Sequence, residues 1–394
     1  MDSNKSTAAK GKNLVVCCDG TDNEFGQDNT NIVRLYSLTL RRNGQQVSFY
    51  DPGLGTFPAP GAWTPFSKWF TKQLGSAFGF GLSQNVADSY RFLMENYVPG
   101  DRIYLFGFSR GAYTVRVLAA LIHVCGLMHA QNRNLVSYAF DLFKAEATDA
   151  KKKNDRVERQ SGKRQRLELP VCTRFKETFS QTPPIHFLGL WDTVLSVGTI
   201  YDPFSLPYTR WNPSVRTVRH AISIDEMRKF FRVNLWSAST PDSDVKQVWF
   251  AGVHADVGGG YPERQSGLAK ISLSWMLEEA RAAQLQIDDD KLSSVFPVPD
   301  SPSDLAAPDP LAMQHNELDH LRWKIMQWIP RRHWVRNKNT GWYDLKWNFS
   351  PREAPRPIEE GSVIHPSVLR RMREDPNYQP SNLPTATSED ASGR

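Results

Sequence analysis

The sequence predicts an α/β fold: a mostly parallel central sheet with helices on both faces and a Trp-rich C-terminal extension of helix and loop. Three observations carry this. Short apolar runs at 14–18, 102–106, 185–191 and 248–253 have the length and the Val, Ile, Leu and aromatic content of strands buried on both faces. Helically spaced apolar residues lie between runs, as parallel strands require of their crossovers. Polar residues fit for chemistry stand just past the ends of several runs, where open α/β sheets gather their ligands.

The elements follow in order. Leu14 to Cys18 reads as a buried strand, ending at the turn Asp19-Gly20-Thr21. Val86, Tyr90, Leu93 and Tyr97 repeat at i, i+4, i+7 and i+11, one apolar face of a helix. Pro99-Gly100-Asp101 breaks the chain before the strand that starts at Arg102. Gly107-Phe108-Ser109-Arg110-Gly111 comes next, followed by a helical pattern through Val115, Leu118, Ala119 and Ile122 that stops at Gly126, a natural C′ residue. G-x-S-x-G between strand and helix is the nucleophile elbow of α/β-hydrolases. There the serine occupies a tight turn, the glycines leave room for close backbone, and the helix N-terminus favours developing negative charge.

A serine hydroxyl needs a base, and the base needs an acid that fixes its tautomer. In this architecture the chain order is Ser, then Asp or Glu, then His. Asp192 directly follows the strand Ile185–Trp191, and His254 is expected directly after a strand Val248–Val253. Asp192 has the plainer role of capping a helix open to it, and His254 that of binding backbone in its turn. Asp256, two positions on, is the rival acid; His365, beside Pro366, is the rival base; His123 falls inside the elbow helix. The amide of Arg110 is expected to be one oxyanion donor, with Gly20 or Thr21 supplying the other. Asp19 and Thr21 serving only to build the turn is the alternative.

Six ordered motifs now stand together: Leu14 to Thr21, Asn29 to Leu35, Tyr50 to Thr56, Gly107 to Ala112, Gly189 to Val194 and Gly252 to Tyr261. In these the chain resembles the α/β-hydrolase domain of the type VI secretion phospholipase effectors, first lipase class, over roughly residues 12 to 270, with a weaker tail around Ile364 to Arg370. The resemblance implies serine-dependent hydrolysis of phospholipid or related acyl esters without a metal or organic cofactor. It also implies Ser109 as nucleophile, Asp192 as acid and His254 as base.

Composition bounds the rest. A chain of 394 residues, 40% hydrophobic, can bury a substantial core. The expected division is a hydrolase domain at 12–295 with an insertion near 128–182, an extension or lid at 296–372, and disordered tails at 1–11 and 374–394. Cys17 and Cys18 are adjacent in a strand and Cys125 and Cys172 lie apart, which suits a reducing compartment. No apolar signal segment opens the polar N-terminus, and the cytoplasm is the expected location.

The net charge of +6 is partly local, in a Lys/Arg run between Lys151 and Arg166 that reads as a solvated helix or insertion, with an anionic-lipid landing patch as alternative. No nucleic-acid-binding motif accompanies it. Trp323, Trp328, Trp334, Trp342 and Trp347, interleaved with Arg and Lys, read as a helix and loop packed over the core, or as a lid that meets lipid. Pro297 to Pro310 reads as a linker or long loop.

The expected function is therefore cleavage of phospholipid acyl esters through an acyl-enzyme on Ser109. Small soluble esters, or binding without catalysis, are the alternatives. A metal-dependent hydrolase built on Asp19, Asp51, His254 and Asp256 is a rival from another class. Oligomeric state is left open.

Overall fold

A computed structural model describes residues 11–20, 26, 28–41, 44–53, 76–161, 167–194, 198–199, 202–203, 206–229, 231–237, 243–299, 301–319, 323–324, 327–328, 331–336, 343–348, 355–384 and 388–389. Strand β1 (Asn13–Cys18) leads through helix α1 (Asn31–Leu38) to β2 (Gln46–Asp51), then α2 (Ser76–Asn96), β3 (Arg102–Phe108) and α3 (Ser109–Cys125). Helices α4 (Val136–Ser161) and α5 (Pro170–Phe179) precede β4 (Ile185–Trp191), β5 (Val215–Ser223) and β6 (Asp244–Phe250). Helices α6 (His254–Gly258) and α7 (Gly267–Ala282) follow; β7 (Val363–Ile364), α8 (Pro366–Glu374) and β8 (Ser388–Glu389) close the described chain.

The main sheet runs β8-β7-β6-β5-β4-β3-β1-β2, with every neighbouring pair parallel. This is the expected α/β architecture. The order reverses direction once, at β1 and β3, and the carboxyl ends at such a reversal form the natural crevice of an open sheet. Alternation along the strands sorts the core into two layers. Leu14, Val16, Ile103 and Leu105 face α2 and α3, where Val86, Tyr90, Leu93, Val115, Leu118 and Ile122 are buried. Val15, Cys17, Tyr104 and Phe106 face the other way, onto Ile32 and Leu35 of α1 and Leu268, Trp275 and Met276 of α7.

The insertion starts and ends at a short antiparallel pairing, Leu127 with Gln181 and Met128 with Ser180. Its Ala139, Phe140, Phe143 and Phe175 pack into the layer that holds α2 and α3. Lys152 and Lys153 are exposed on α4, Lys152 beside Asp149 at 3.7 Å, as on a solvated helix face. Only part of the remaining basic run lies within the described residues.

Two features of the C-terminal third depart from expectation. Arg331–Arg336 and Tyr343–Asn348 pair as an antiparallel ribbon rather than helix and loop, Trp334 opposite Leu345 and Trp347 opposite Arg332. Aromatic and β-branched residues on both sides of Asn337 to Gly341 satisfy hairpin preferences as well as a lid's. Within the stretch expected to be a polar tail, Tyr378 is buried, and its hydroxyl donates to Asp225 at 2.9 Å. Asn382 adds bonds to the Ile224 and Arg356 carbonyls at 3.1 and 2.9 Å, and average composition registers none of these anchors.

Candidate active site

The elbow is built by steric exclusion. Ser109 has φ 56°, a left-handed conformation that a residue with a β-carbon adopts only under constraint. A β-carbon on Gly107 would lie 2.5 Å from the Gly111 carbonyl oxygen, and one on Gly111 would lie 2.2 Å from the Cys18 carbonyl oxygen. The two glycines therefore let α3 start against the end of β1, at the sheet's reversal. Asp192 shares the left-handed backbone, at φ 39°, and its amide still donates to Ala221 as a continuation of the β4–β5 ladder.

His254 is placed differently from expectation. Strand β6 ends at Phe250, four positions before it, because Gly252 takes φ 104° and turns the chain out of the sheet. His254 then opens the short helix α6.

The three segments meet. His254 Nε2 lies 2.8 Å from Ser109 Oγ, and His254 Nδ1 lies 2.5 Å from Asp192 Oδ2. Ser109 and His254 are 7% and 6% exposed and Asp192 is fully buried, so the row meets the surface at its hydroxyl and imidazole and not at its carboxylate. Phe108 and Phe231 pack on the imidazole, with ring centroids 4.7 and 4.8 Å away. Trp323 stands edge-on to Phe231 at 5.3 Å, and Arg228 lies over both aromatic rings. Burial, above all, holds the His254 pKa below the ordinary imidazole value; the Asp192 hydrogen bond and charge oppose this, Arg228 adds to it, and Glu226 works against it.

Asp192 is the best-served carboxylate of the site. The Ser223 amide and hydroxyl donate to Oδ1 at 3.0 and 3.1 Å. Arg356 donates to both oxygens, with Nη2 3.0 Å from Oδ2. Burial pushes the carboxyl pKa up, but Arg356 and then His254 outweigh it and leave the group well below the usual carboxylate range. The Asp192 carboxylate is thus ionised and held at both oxygens.

The other expected residues go elsewhere. Asp256 accepts from the Val253 amide at the start of α6 and from His315, whose Nδ1 is 2.6 Å away, so it serves the helix rather than His254. His365 caps α8 through the Ser367 amide and stacks on Phe250. His123 bonds Ser214 and packs on Tyr208. Asp19 accepts from Thr30 and Tyr50, and Asp51 from Gly53 and Asn85. No group of three or more His, Cys, Asp or Glu with metal-binding geometry occurs among the described residues.

Of the residues expected as oxyanion donors, Arg110 is second in α3, directly after Ser109. The Gly20 amide instead donates to its neighbouring Asp19 carboxylate at 2.7 Å. Asp19 thus folds back on its own turn, as in the alternative reading of this segment. Thr21 lies outside the described residues.

Sequence reasoning missed Arg356, Ser223, Glu226 and Phe231. Ser223 ends a strand whose alternation is weak in sequence, while Arg356 sits in a Pro-rich segment with no pattern that points to the sheet. Glu226 accepts from the His254 amide at 3.2 Å and is paired with Arg228 at 2.7 Å.

Residues 12–279 match the family model "T6SS, Phospholipase effector Tle1-like, catalytic domain". The uncharacterized protein YEL023C of Saccharomyces cerevisiae is 36% identical over 236 residues, covering 58% of this chain and 33% of its own length. The chain thus aligns with about a third of that curated relative. Among solved structures, an uncharacterized protein from Pseudomonas aeruginosa is 17% identical, with a TM-score of 0.41 over 72% of this chain and 47% of its own. A Tle1 effector bound to the VgrG spike of the type 6 secretion system is 12% identical, with a TM-score of 0.37 over 97% of this chain and 94% of its own. The match over residues 12–279 places the chain in the Tle1-like phospholipase effector family, within which its catalytic domain falls.

Proposed function

We propose that the protein is a serine hydrolase that cleaves acyl esters of phospholipids through an acyl-enzyme on Ser109. The observation that carries this is the row of hydroxyl, imidazole and carboxylate, 2.8 and 2.5 Å apart, starting at a strained elbow. Asp192 keeps the proton of His254 on Nδ1 and leaves Nε2 free to accept. His254 takes the Ser109 proton as Oγ attacks the ester carbonyl. The carbonyl oxygen becomes an oxyanion beside the N-terminus of α3, where we assign the Arg110 amide as one donor. Gly20 would serve as the second only by giving up its bond to Asp19; Thr21 stays the other candidate. The tetrahedral intermediate collapses, His254 returns the proton to the leaving alcohol, and the acyl group remains on Ser109. Water then enters, loses its proton to His254 and releases the fatty acid. No step draws on a metal or organic cofactor.

The lipid substrate is supported by family membership and by the apolar wall of Phe108, Phe231 and Trp323 around the imidazole, suited to an acyl chain rather than a small polar acid. Among the described residues, no helix is long and apolar enough to cross a membrane.

The test is product analysis on phospholipid vesicles, triglyceride emulsion and short soluble esters, with Ser109→Ala alongside. Fatty acid and lysophospholipid released by the native protein alone support the proposal. Turnover confined to soluble esters makes it a carboxylesterase. Equal turnover by purified Ser109→Ala removes the serine mechanism.

A further inference from the structure

We infer that Arg356 is a positioning residue for the Asp192–His254 pair: it fixes both oxygens of the carboxylate and sets how basic the imidazole is. This rests on the roles proposed for Asp192 and His254. Arg356 lies beyond the family match, which ends at residue 279, so the catalytic acid of the matched domain is held by a segment outside it.

The contacts are those of a built site. Arg356 is 4% exposed and Asp192 is fully buried, and the guanidinium faces the carboxylate in a two-pronged arrangement that lysine does not reproduce. The same Nη1 donates to Ser223 Oγ at 2.7 Å and to the Ser223 carbonyl at 3.2 Å, while Nη2 reaches the Phe231 carbonyl. One side chain thus ties together the end of β4, the end of β5 and the aromatic wall beside His254.

Its electrostatic effect follows from shared bonding. Arg356 Nη2 and His254 Nδ1 both contact Asp192 Oδ2, at 3.0 and 2.5 Å, so the cation lies within about 6 Å of the imidazole. A fixed positive charge there disfavours imidazolium and offsets part of the Asp192 charge that favours it. The other charged groups around the pair are Glu226 and Arg228 near His254, buried His220 near Asp192, and Arg232 near Arg356. None of these bonds both carboxylate oxygens of Asp192.

The experiment uses the full chain with Arg356→Met, which keeps length without charge, and Arg356→Lys, which keeps charge without the fork. The readouts are the NMR titration of the His254 imidazole and the pH profile of kcat/KM. Arg356→Met is expected to move both the titration and the acid limb upward by about one pH unit. Its kcat should fall roughly 10- to 100-fold as the acid loses its fixed orientation. Arg356→Lys should leave the limb in place and lower kcat about tenfold. On an Asp192→Asn background, Arg356→Met should cost less than about a further threefold, since little carboxylate function remains to position.

An unmoved titration in folded Arg356→Met, or full additivity with Asp192→Asn, would overturn the inference. Should Arg356→Met fail to fold, wild-type kcat in Arg356→Lys overturns it and the expected loss with an unmoved limb supports it. The titration needs no turnover and can be run in Ser109→Ala. A protein that hydrolyses no ester therefore defeats the proposed function while leaving the role of Arg356 decidable.

Discussion

Asp192→Asn preserves the shape of the acid and removes its charge, so its consequences follow closely from the contacts. The carboxylate accepts from Arg356 at both oxygens, from the Ser223 amide and hydroxyl, and from His254. An amide offers one oxygen. With that oxygen turned to Arg356 and Ser223, the amide NH₂ faces His254 Nδ1 and drives the proton onto Nε2. His254 then cannot accept from Ser109, and loss of this tautomer costs about 10⁴ in kcat in serine hydrolases where the acid has been changed this way. The buried guanidinium also loses its counter-charge, at a cost of about 3–5 kcal/mol, equivalent to a Tm lower by roughly 4–6 °C in a chain of 394 residues. Because the Asp192 pKa is depressed in the folded protein, the stability it contributes is present above its unfolded value of about 4 and is lost as pH falls through the lower folded value. The stability gap between native and variant protein is therefore full at pH 7 and closes only in strong acid. Hydrolysis of a chromogenic ester and thermal unfolding at pH 7 and pH 3 measure both effects. Activity within about tenfold of native, in protein shown to be folded, would refute the tautomer reasoning.

Ser109→Ala should lose essentially all hydrolysis while its Tm stays within about 2 °C of native, because the hydroxyl's partner is His254 at the site's edge; circular dichroism melting checks the fold. The acid limb of kcat/KM should lie below pH 6.5, since burial lowers the His254 pKa and the base works only when neutral; a limb at or above pH 7 contradicts that placement. Gly111→Ala should destabilise the fold by about 3 kcal/mol or more, because its methyl would meet the Cys18 and Asp19 carbonyl oxygens at 2.2 and 2.3 Å; denaturant unfolding with an unchanged midpoint would show that α3 can shift.

What the sequence disclosed divides along physical lines. Buried parallel strands carry runs such as Leu14 to Cys18 and Ile185 to Trp191, and amphipathic α2 repeats its apolar face at helical spacing, so these elements were legible locally. Ser109 was legible because the elbow's close packing demands two glycines at fixed spacing. Asp192 and His254 were readable as residues past strand ends, though the exit at Gly252 displaced the strand boundary by three residues. Arg356 was not legible, since its role depends on where a distant, irregular segment returns to the sheet. The Trp-rich ribbon was misread because alternating aromatic and basic residues satisfy a hairpin and an amphipathic cover alike. At Gly20 the sequence left two readings open, and the bond from its amide to Asp19 is the one foreseen for a residue that builds its own turn.

Labelling with a fluorophosphonate, followed by peptide mapping of the adduct, tests the hydroxyl–imidazole–carboxylate row most directly. The expected result is one adduct on Ser109, formed at least a hundredfold more slowly in His254→Ala and Asp192→Asn. Ester hydrolysis that persists with Ser109 unlabelled, or labelling equally fast in both variants, would contradict a nucleophile activated by His254.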